Sequence, residues 1–413
     1  MRTKNLLVAQ SGGPTAAINA TLAGVIEAGM KSDRIDRVYG GFFGSEGILQ
    51  GQIIDIGAQI KSDKDLHLLS LTPGMALRSC RHKMPDPQKD PAPYEAMLDI
   101  FKALDIGYFF YIGGNDSMDT AMKLHRYCAD KGHDIKVIGV PKTIDNDLPL
   151  TDHTPGFGSA VKYVACSIAE IARDSAVYTP KSAVVVEIMG RDAGWLTAGS
   201  GVAQLAGGAP HLIYIPETPF DPAACVAAVK TLQETIPHVV IAVSEGIRDR
   251  EGDYVHTDLP GGITDAFGHR QLAGAGRYVE TLIKQEVGCK VRSIELSVLQ
   301  RAAGHCLAAA DIDEAIEVGR QAVALALAGE SGKMAAIERI AQNPYKSRVI
   351  PVDLDRVAGK VRPFPTHWLS EDNRSLSEEA LDYFLPLIQG EKAWPSQNGL
   401  PHHFIFRADL VSL

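Results

Sequence analysis

Tyr108-Phe109-Phe110-Tyr111-Ile112-Gly113-Gly114-Asn115-Asp116-Ser117 is the stretch on which the reading of this chain turns. Five apolar residues run without interruption into a glycine turn, as in a strand buried on both faces. The turn opens directly onto Ser117 to Ala129, whose apolar spacing predicts a helix. The same grammar recurs along the chain. Leu6 to Val8, Val137 to Val140, Ala183 to Ile188, Leu212 to Ile215 and Val239 to Val243 read as further strands. Ala16 to Met30, Ser159 to Ala172, Gly274 to Glu286 and Asp313 to Ala328 read as helices. In the Ser159 stretch Val161, Val164, Ala165, Ile168 and Ile171 fall on one face at helical spacing. Strands alternating with helices in this way predict an α/β fold with parallel-rich sheets, whose ligands gather at the carboxyl ends of the strands.

At 413 residues the chain exceeds what a single core usually holds, roughly 250 to 300 residues, so two lobes are expected. The division expected is 1–141, 142–331 and a wrapping extension over 332–413, with the lobe boundary near Lys142 to Pro155. Pro344, Pro351, Pro363 and Pro365 break any helix between Asn343 and Trp368, and a short helix is expected from Leu376 to Leu387. A formal net charge of −9 argues against a nucleic-acid partner, which needs a basic face. No apolar run approaches the roughly 18 residues of a membrane span, and Leu6 to Ala9 is too short for a signal-peptide core. Cys80, Cys128, Cys166, Cys225, Cys289 and Cys306 are widely spaced, with no C-x-x-C pair, which suits a reducing, cytoplasmic setting. Gly329 to Met334 contains a Gly-Lys pair without Walker spacing, and the histidines form no H-E-x-x-H motif; His305, His402 and His403 read as structural or solvated.

Chemistry concentrates at the strand ends. Gln10-Ser11-Gly12-Gly13-Pro14-Thr15 offers glycine backbone and a helix start, both favourable to an anion. Gly113 and Gly114 repeat the arrangement and add Asn115 and Asp116, with Ser117 as the candidate N-cap. Pro141-Lys142-Thr143-Ile144-Asp145-Asn146-Asp147 gathers one cation and two carboxylates in seven residues. Phosphoryl transfer needs a base at the accepting hydroxyl, cations on the moving group and a magnesium site, and this heptapeptide offers parts of each. Met189-Gly190-Arg191, Ser244-Glu245-Gly246 and the pair Arg292 and Arg301 supply arginines and a carboxylate suited to a sugar phosphate.

In this order the motifs resemble the phosphofructokinase family over roughly residues 5 to 310. The resemblance implies two Rossmann-like lobes with the active site in the cleft between them. It implies Asp145 as the base, Thr143, Asp147, Met189, Gly190, Arg191, Glu245 and Arg301 as contacts to fructose 6-phosphate, and Arg292 reaching the 6-phosphate from a neighbouring subunit of a homodimer or homotetramer. Gly12, Gly13, Gly114 and Arg81 would face the phosphoryl donor, with Mg²⁺ near Asn115. ATP-using members carry glycine at the positions of Asp116 and Lys142, whereas pyrophosphate-using members resemble this chain. The Asp116 carboxylate would repel the α-phosphate of ATP, and Lys142 would place its charge on pyrophosphate. The sequence departs from the family at Asn115, where ATP-using members have aspartate, at Val298, where many have His or Tyr, and at Ser182, where an arginine is usual and Lys181 is adjacent. The alternatives are ATP as donor, sedoheptulose 7-phosphate as acceptor, or a non-catalytic metabolite sensor, the last disfavoured by Asp145.

Overall fold

A computed structural model describes residues 3–255 and 274–413 of the chain. Two sheets organise it. The first contains β1 (Lys4–Gln10), β2 (Ile35–Gly41), β3 (Ile53–Asp55), β4 (Ile106–Gly113) and β5 (Lys136–Pro141); the second contains β6 (Ser182–Ile188), β7 (Leu212–Tyr214), β8 (His238–Ser244) and β9 (Lys290–Glu295). The chain then returns to the first sheet with β10 (Lys333–Gln342) and β11 (Tyr345–Asp353). The seven-stranded order is β11-β10-β5-β4-β1-β2-β3, with only the edge strands β3 and β11 antiparallel to their neighbours. The four-stranded order is β7-β8-β6-β9, all parallel. β4 is buried over all eight residues, as its unbroken apolar run requires at the centre of a sheet covered on both faces.

The registers level the strand ends. Gln10 pairs with Ile112 and Gly113 with Pro141, so the turns after β1, β4 and β5 emerge side by side. Ile188 pairs with Ser244 and Glu187 with Glu295, which does the same in the second sheet. The helix Ala309–Leu327 packs against Ile18–Lys31, and the approach depends on two glycines. A Cβ at Gly24 would lie 2.0 Å from the Ile316 carbonyl oxygen, and one at Gly319 would lie 2.2 Å from that of Thr21. No side chain fits at either contact.

The segment expected to be a wrapping extension does more than cover the surface. Its first part supplies β10 and β11, joined by a two-residue turn that only an antiparallel pair permits. Its later part enters the core of the second lobe, where Phe364, Tyr383, Phe384 and Leu387 pack with Phe157, Val161 and Trp195. Burying each such side chain is worth on the order of 1.5–3 kcal/mol, so residues 332–413 are bonded into both halves of the molecule. No helix among the described residues is long and apolar enough to cross a membrane.

Candidate active site

The levelled strand ends of both sheets face one cleft of about 930 Å³. Gly12, Gly13, Arg81, Gly114, Asn115, Asp116, Lys142, Thr143, Asp145, Asp147, Met189, Arg191, Glu245 and Arg301 all line it. Gly190 lies behind this surface, its N–H donating to Glu245 Oε1 at 3.3 Å. Arg292 does not reach the cleft. It stands on β9 beside a separate small hollow shared with Tyr178 and Lys290.

Two glycine turns form one wall. Gly12 has φ +81°, a left-handed conformation that favours glycine, and the Ser79 hydroxyl donates to its carbonyl at 2.6 Å. The Asn115–Asp130 helix starts after Gly114, which occupies the N-cap position without a side-chain cap. Ser117 is therefore not the N-cap expected from sequence. Its hydroxyl instead bonds that of Ser11 and ties the two turns together. Asp116 sits in the first turn of the helix, where the dipole favours an anion. The Asn115 carboxamide is engaged with the backbone of a distant segment: Oδ1 accepts from the Gly359 N–H at 2.7 Å, and Nδ2 donates to the Lys360 carbonyl.

The turn after β5 brings the charges together. The Lys142 N–H donates to the Gly113 carbonyl at 2.9 Å and its Nζ donates to the Gly13 carbonyl at 2.6 Å, so one residue joins all three turns. Lys142 is 2% exposed; burial pushes its ammonium down to about 7, with Asp145 acting in the opposite direction. The Asp145 N–H donates to Thr143 Oγ1 at 3.1 Å. Burial raises the Asp145 carboxyl while Lys142 opposes the rise. Burial and then Asp145 push Asp147 up to about 7.

The opposite wall comes from the second sheet. The Met189 N–H donates to Gln300 Oε1 at 3.1 Å, and the Ser244 hydroxyl donates to the Gly190 carbonyl at 2.5 Å. Burial pushes Glu245 up to about 7. Arg191 and Arg301 each hold a buried Nε with no hydrogen-bond partner, and burial followed by Arg81 lowers the Arg301 guanidinium. Cations held this way are suited to an incoming anion. Gln300, Asp192, Gly359 and Val361 also line the cleft, and sequence reasoning passed over them. Gln300 adjoins the singled-out Arg301, which is a signal of sorts; Gly359 and Val361 lie in the proline-broken stretch and carry none.

Among the described residues no three carboxylate, histidine or cysteine groups converge into a metal cage. Magnesium usually keeps several waters and takes only one or two protein carboxylates alongside substrate phosphates. Asp116, Asp145, Asp147 and Asn115 around one opening fit an ion that arrives with its phosphates. A raised carboxyl beside a buried ammonium, with arginines opposite, is equipped to take a proton from a hydroxyl and to hold a phosphoryl group as charge builds on it.

Comparison with known proteins agrees with this chemistry. The family profile for phosphofructokinase matches residues 5–326. The pyrophosphate–fructose 6-phosphate 1-phosphotransferase of Halomonas elongata is 43% identical over 97% of this chain and 96% of its own length. The protein of the same name from Xanthomonas campestris pv. campestris is 42% identical over 98% and 96%. The crystal structure of pyrophosphate-dependent phosphofructokinase from Marinobacter aquaeolei superposes with a TM-score of 0.88 at 36% identity, covering 99% of this chain and 98% of that one. With its motifs on levelled strand ends around one cleft and relatives matching it end to end, the chain belongs to the phosphofructokinase family.

Proposed function

We propose that the protein transfers a phosphoryl group from pyrophosphate to the 1-hydroxyl of fructose 6-phosphate, giving fructose 1,6-bisphosphate and phosphate. The observation that carries this reading is Lys142, a buried ammonium seated on the Gly13 carbonyl and neighbouring Asp145, at the turn next to Asp116. Asp116 excludes a nucleotide by repelling its additional phosphate. Lys142 stabilises the shorter donor and the group in transit. The names of the relatives support the same donor and acceptor.

Asp145 accepts the proton of the 1-hydroxyl as the oxygen bonds to phosphorus and the bridging oxygen of pyrophosphate leaves with its electron pair. Thr143, Asp147, Met189, Gly190, Arg191, Glu245 and Arg301 orient the sugar phosphate from the 142–331 side. Gly12, Gly13, Gly114 and Arg81 orient the donor from the 1–141 side. Asn115 and Asp116 would hold Mg²⁺, directly or through its waters; when bound, the ion neutralises charge on the donor phosphates. One phosphate linkage replaces another, so the transfer runs in both the glycolytic and the gluconeogenic direction, in the cytoplasm. Arg292, outside its own cleft, reaches the 6-phosphate of a neighbouring subunit, and a monomer by light scattering would remove that role.

Asp145→Ser tests the assignment of the base. Turnover should fall below detection while calorimetry still registers fructose 6-phosphate binding. A variant retaining a tenth or more of wild-type kcat would show that the proton goes elsewhere.

A further inference from the structure

The segment Gly359 to Phe364 is remote in sequence from every motif above, yet it ties together the turns that follow β4 and β5. At one end it engages the Asn115 carboxamide through Gly359 and Lys360. At the other, the Arg362 N–H donates to the Asp147 carbonyl at 2.7 Å. Gly359 and Val361 line the cleft between these anchors.

The Arg362 side chain turns away from the opening and grips the loop that carries Asp145 and Asp147. Its Nε and Nη2 donate to the Asn146 carbonyl at 3.2 and 2.8 Å, and its Nη1 donates to the carbonyls of Thr151 and Asp152 at 2.6 and 2.8 Å. The guanidinium lies 4.4 Å from the centre of the Trp195 ring, and the Trp195 indole N–H donates back to the Arg362 carbonyl at 3.0 Å. Asn146, the residue gripped twice, has φ +55°. A left-handed residue between two site carboxylates persists where its surroundings over-determine it, and it decides where the flanking side chains point. The Asn146 side chain is fixed as well, donating to the Tyr383 hydroxyl at 2.8 Å and accepting from the Thr154 N–H at 3.1 Å.

From this geometry we infer that Arg362 is a positioning residue, which clamps the Asn146 carbonyl so that Asp145 and Asp147, on the loop after β5, stay in register with Asn115 and Asp116 on the neighbouring turn after β4. The inference rests on the phosphotransferase reading for its consequence in rate, though the clamp itself is a property of the unliganded protein. Arg362 is not among the residues that line the cleft. Its loss therefore lowers the rate of transfer more than the binding of either partner, since a displacement of about 1 Å at the reacting groups costs on the order of 10²-fold.

Two variants separate this role from general packing. Arg362→Met keeps an apolar stem over Trp195 and removes every side-chain donor, leaving the main-chain N–H to Asp147 in place; Arg362→Lys keeps a charge and can hold one carbonyl. Arg362→Met should lower kcat about 10²-fold with both KM values changed by less than about three-fold, millimolar guanidinium should restore part of the rate, and Arg362→Lys should recover about ten-fold. Amide exchange over residues 145–152 should accelerate in Arg362→Met, a reading that needs no substrate. Wild-type kcat in Arg362→Met, or a loss confined to KM, overturns the inference, as does unchanged exchange over 145–152. If Arg362→Met does not fold, the kcat-against-KM split and the exchange rates of Arg362→Lys decide by the same criteria. A wild-type protein inert with pyrophosphate would instead defeat the functional reading and leave the exchange comparison to judge the clamp.

Discussion

Lys142 holds its ammonium at the cleft wall almost wholly out of solvent, and that sets a measurable proton balance. With its group held at about 7 in the free protein, the side chain is mostly neutral at pH 8. An anion placed beside it favours the charged form, so binding of pyrophosphate must draw a proton in. Calorimetry at pH 8 in buffers of different ionisation enthalpy should register greater proton uptake for the wild type than for Lys142→Met, whose kcat should be lower by about 10²-fold or more. Equal uptake by the two proteins would mean that Lys142 does not face the donor. The same residue explains why so much of the site was legible in sequence. Lys142, Asp145 and Asp147 are near neighbours in the chain, and a turn of seven residues after a strand needs no long-range information to bring them together. Arg362 and Gln300 were not legible, because a main-chain clamp and a hydrogen bond to the Met189 N–H exist only once remote segments meet. Ser117 misled for a related reason: its hydroxyl found Ser11, 106 positions away, in place of the local backbone.

Around His153 four elements converge. The ring, 1% exposed, lies between Asp152 Oδ2 at 2.8 Å and Glu314 Oε2 at 2.7 Å. Arg339 of β10 bonds Asp152, while Tyr345 and Ser347 of β11 bond Glu314. The Tyr383 hydroxyl, from the helix Glu378–Leu387, donates to the Asp152 carbonyl at 2.7 Å. Burial opposes charging the imidazole, yet Glu314 and Asp152 prevail and hold it at about 9. Because this value lies above that of the unfolded chain, about 6.5, the stabilisation is complete below pH 6.5 and is lost as pH rises through 9. A shift of that size is worth roughly 3 kcal/mol. The melting-temperature gap between wild type and His153→Gln should accordingly be widest near pH 6 and narrow by pH 9.5; a gap independent of pH would show the ring to be neutral. At this scale the central strands and the longest helices were readable from apolar runs and helical spacing, whereas β2, β3, β9, β10 and β11 and the helices Ala92–Ala103 and Pro222–Leu232 were not. β9, Lys290-Val291-Arg292-Ser293-Ile294-Glu295, lies at the edge of its sheet with only Val291 and Ile294 apolar and no period-two alternation, and β10 is apolar mainly through its first half. The pairing of β10 with β5 joins positions 195 apart, Lys333 with Ile138, which local pattern cannot foresee. The Gly-Lys decoy before β10 proves to be part of that joint: Ser331 Oγ meets His125 Nδ1 at 2.9 Å and accepts from the Val137 N–H at 3.0 Å.

For the molecule as a whole, two sheets with level carboxyl ends create the cleft, and residues 332–413 secure it from both sides. The position of the cleft followed from sequence because the glycine turns and the Lys142 to Asp147 stretch fall where strands end, and parallel sheets expose those ends together. The closing segment did not, since its contribution depends on both lobes being present. The choice between pyrophosphate and a nucleotide rests on Asp116 and Lys142. Initial rates of fructose 1,6-bisphosphate formation, with Mg²⁺ and fructose 6-phosphate and either pyrophosphate or ATP at matched concentrations, test that choice most directly. The account requires kcat/KM for pyrophosphate to exceed that for ATP by about 10²-fold or more; a rate with ATP that equals or surpasses it would contradict the account.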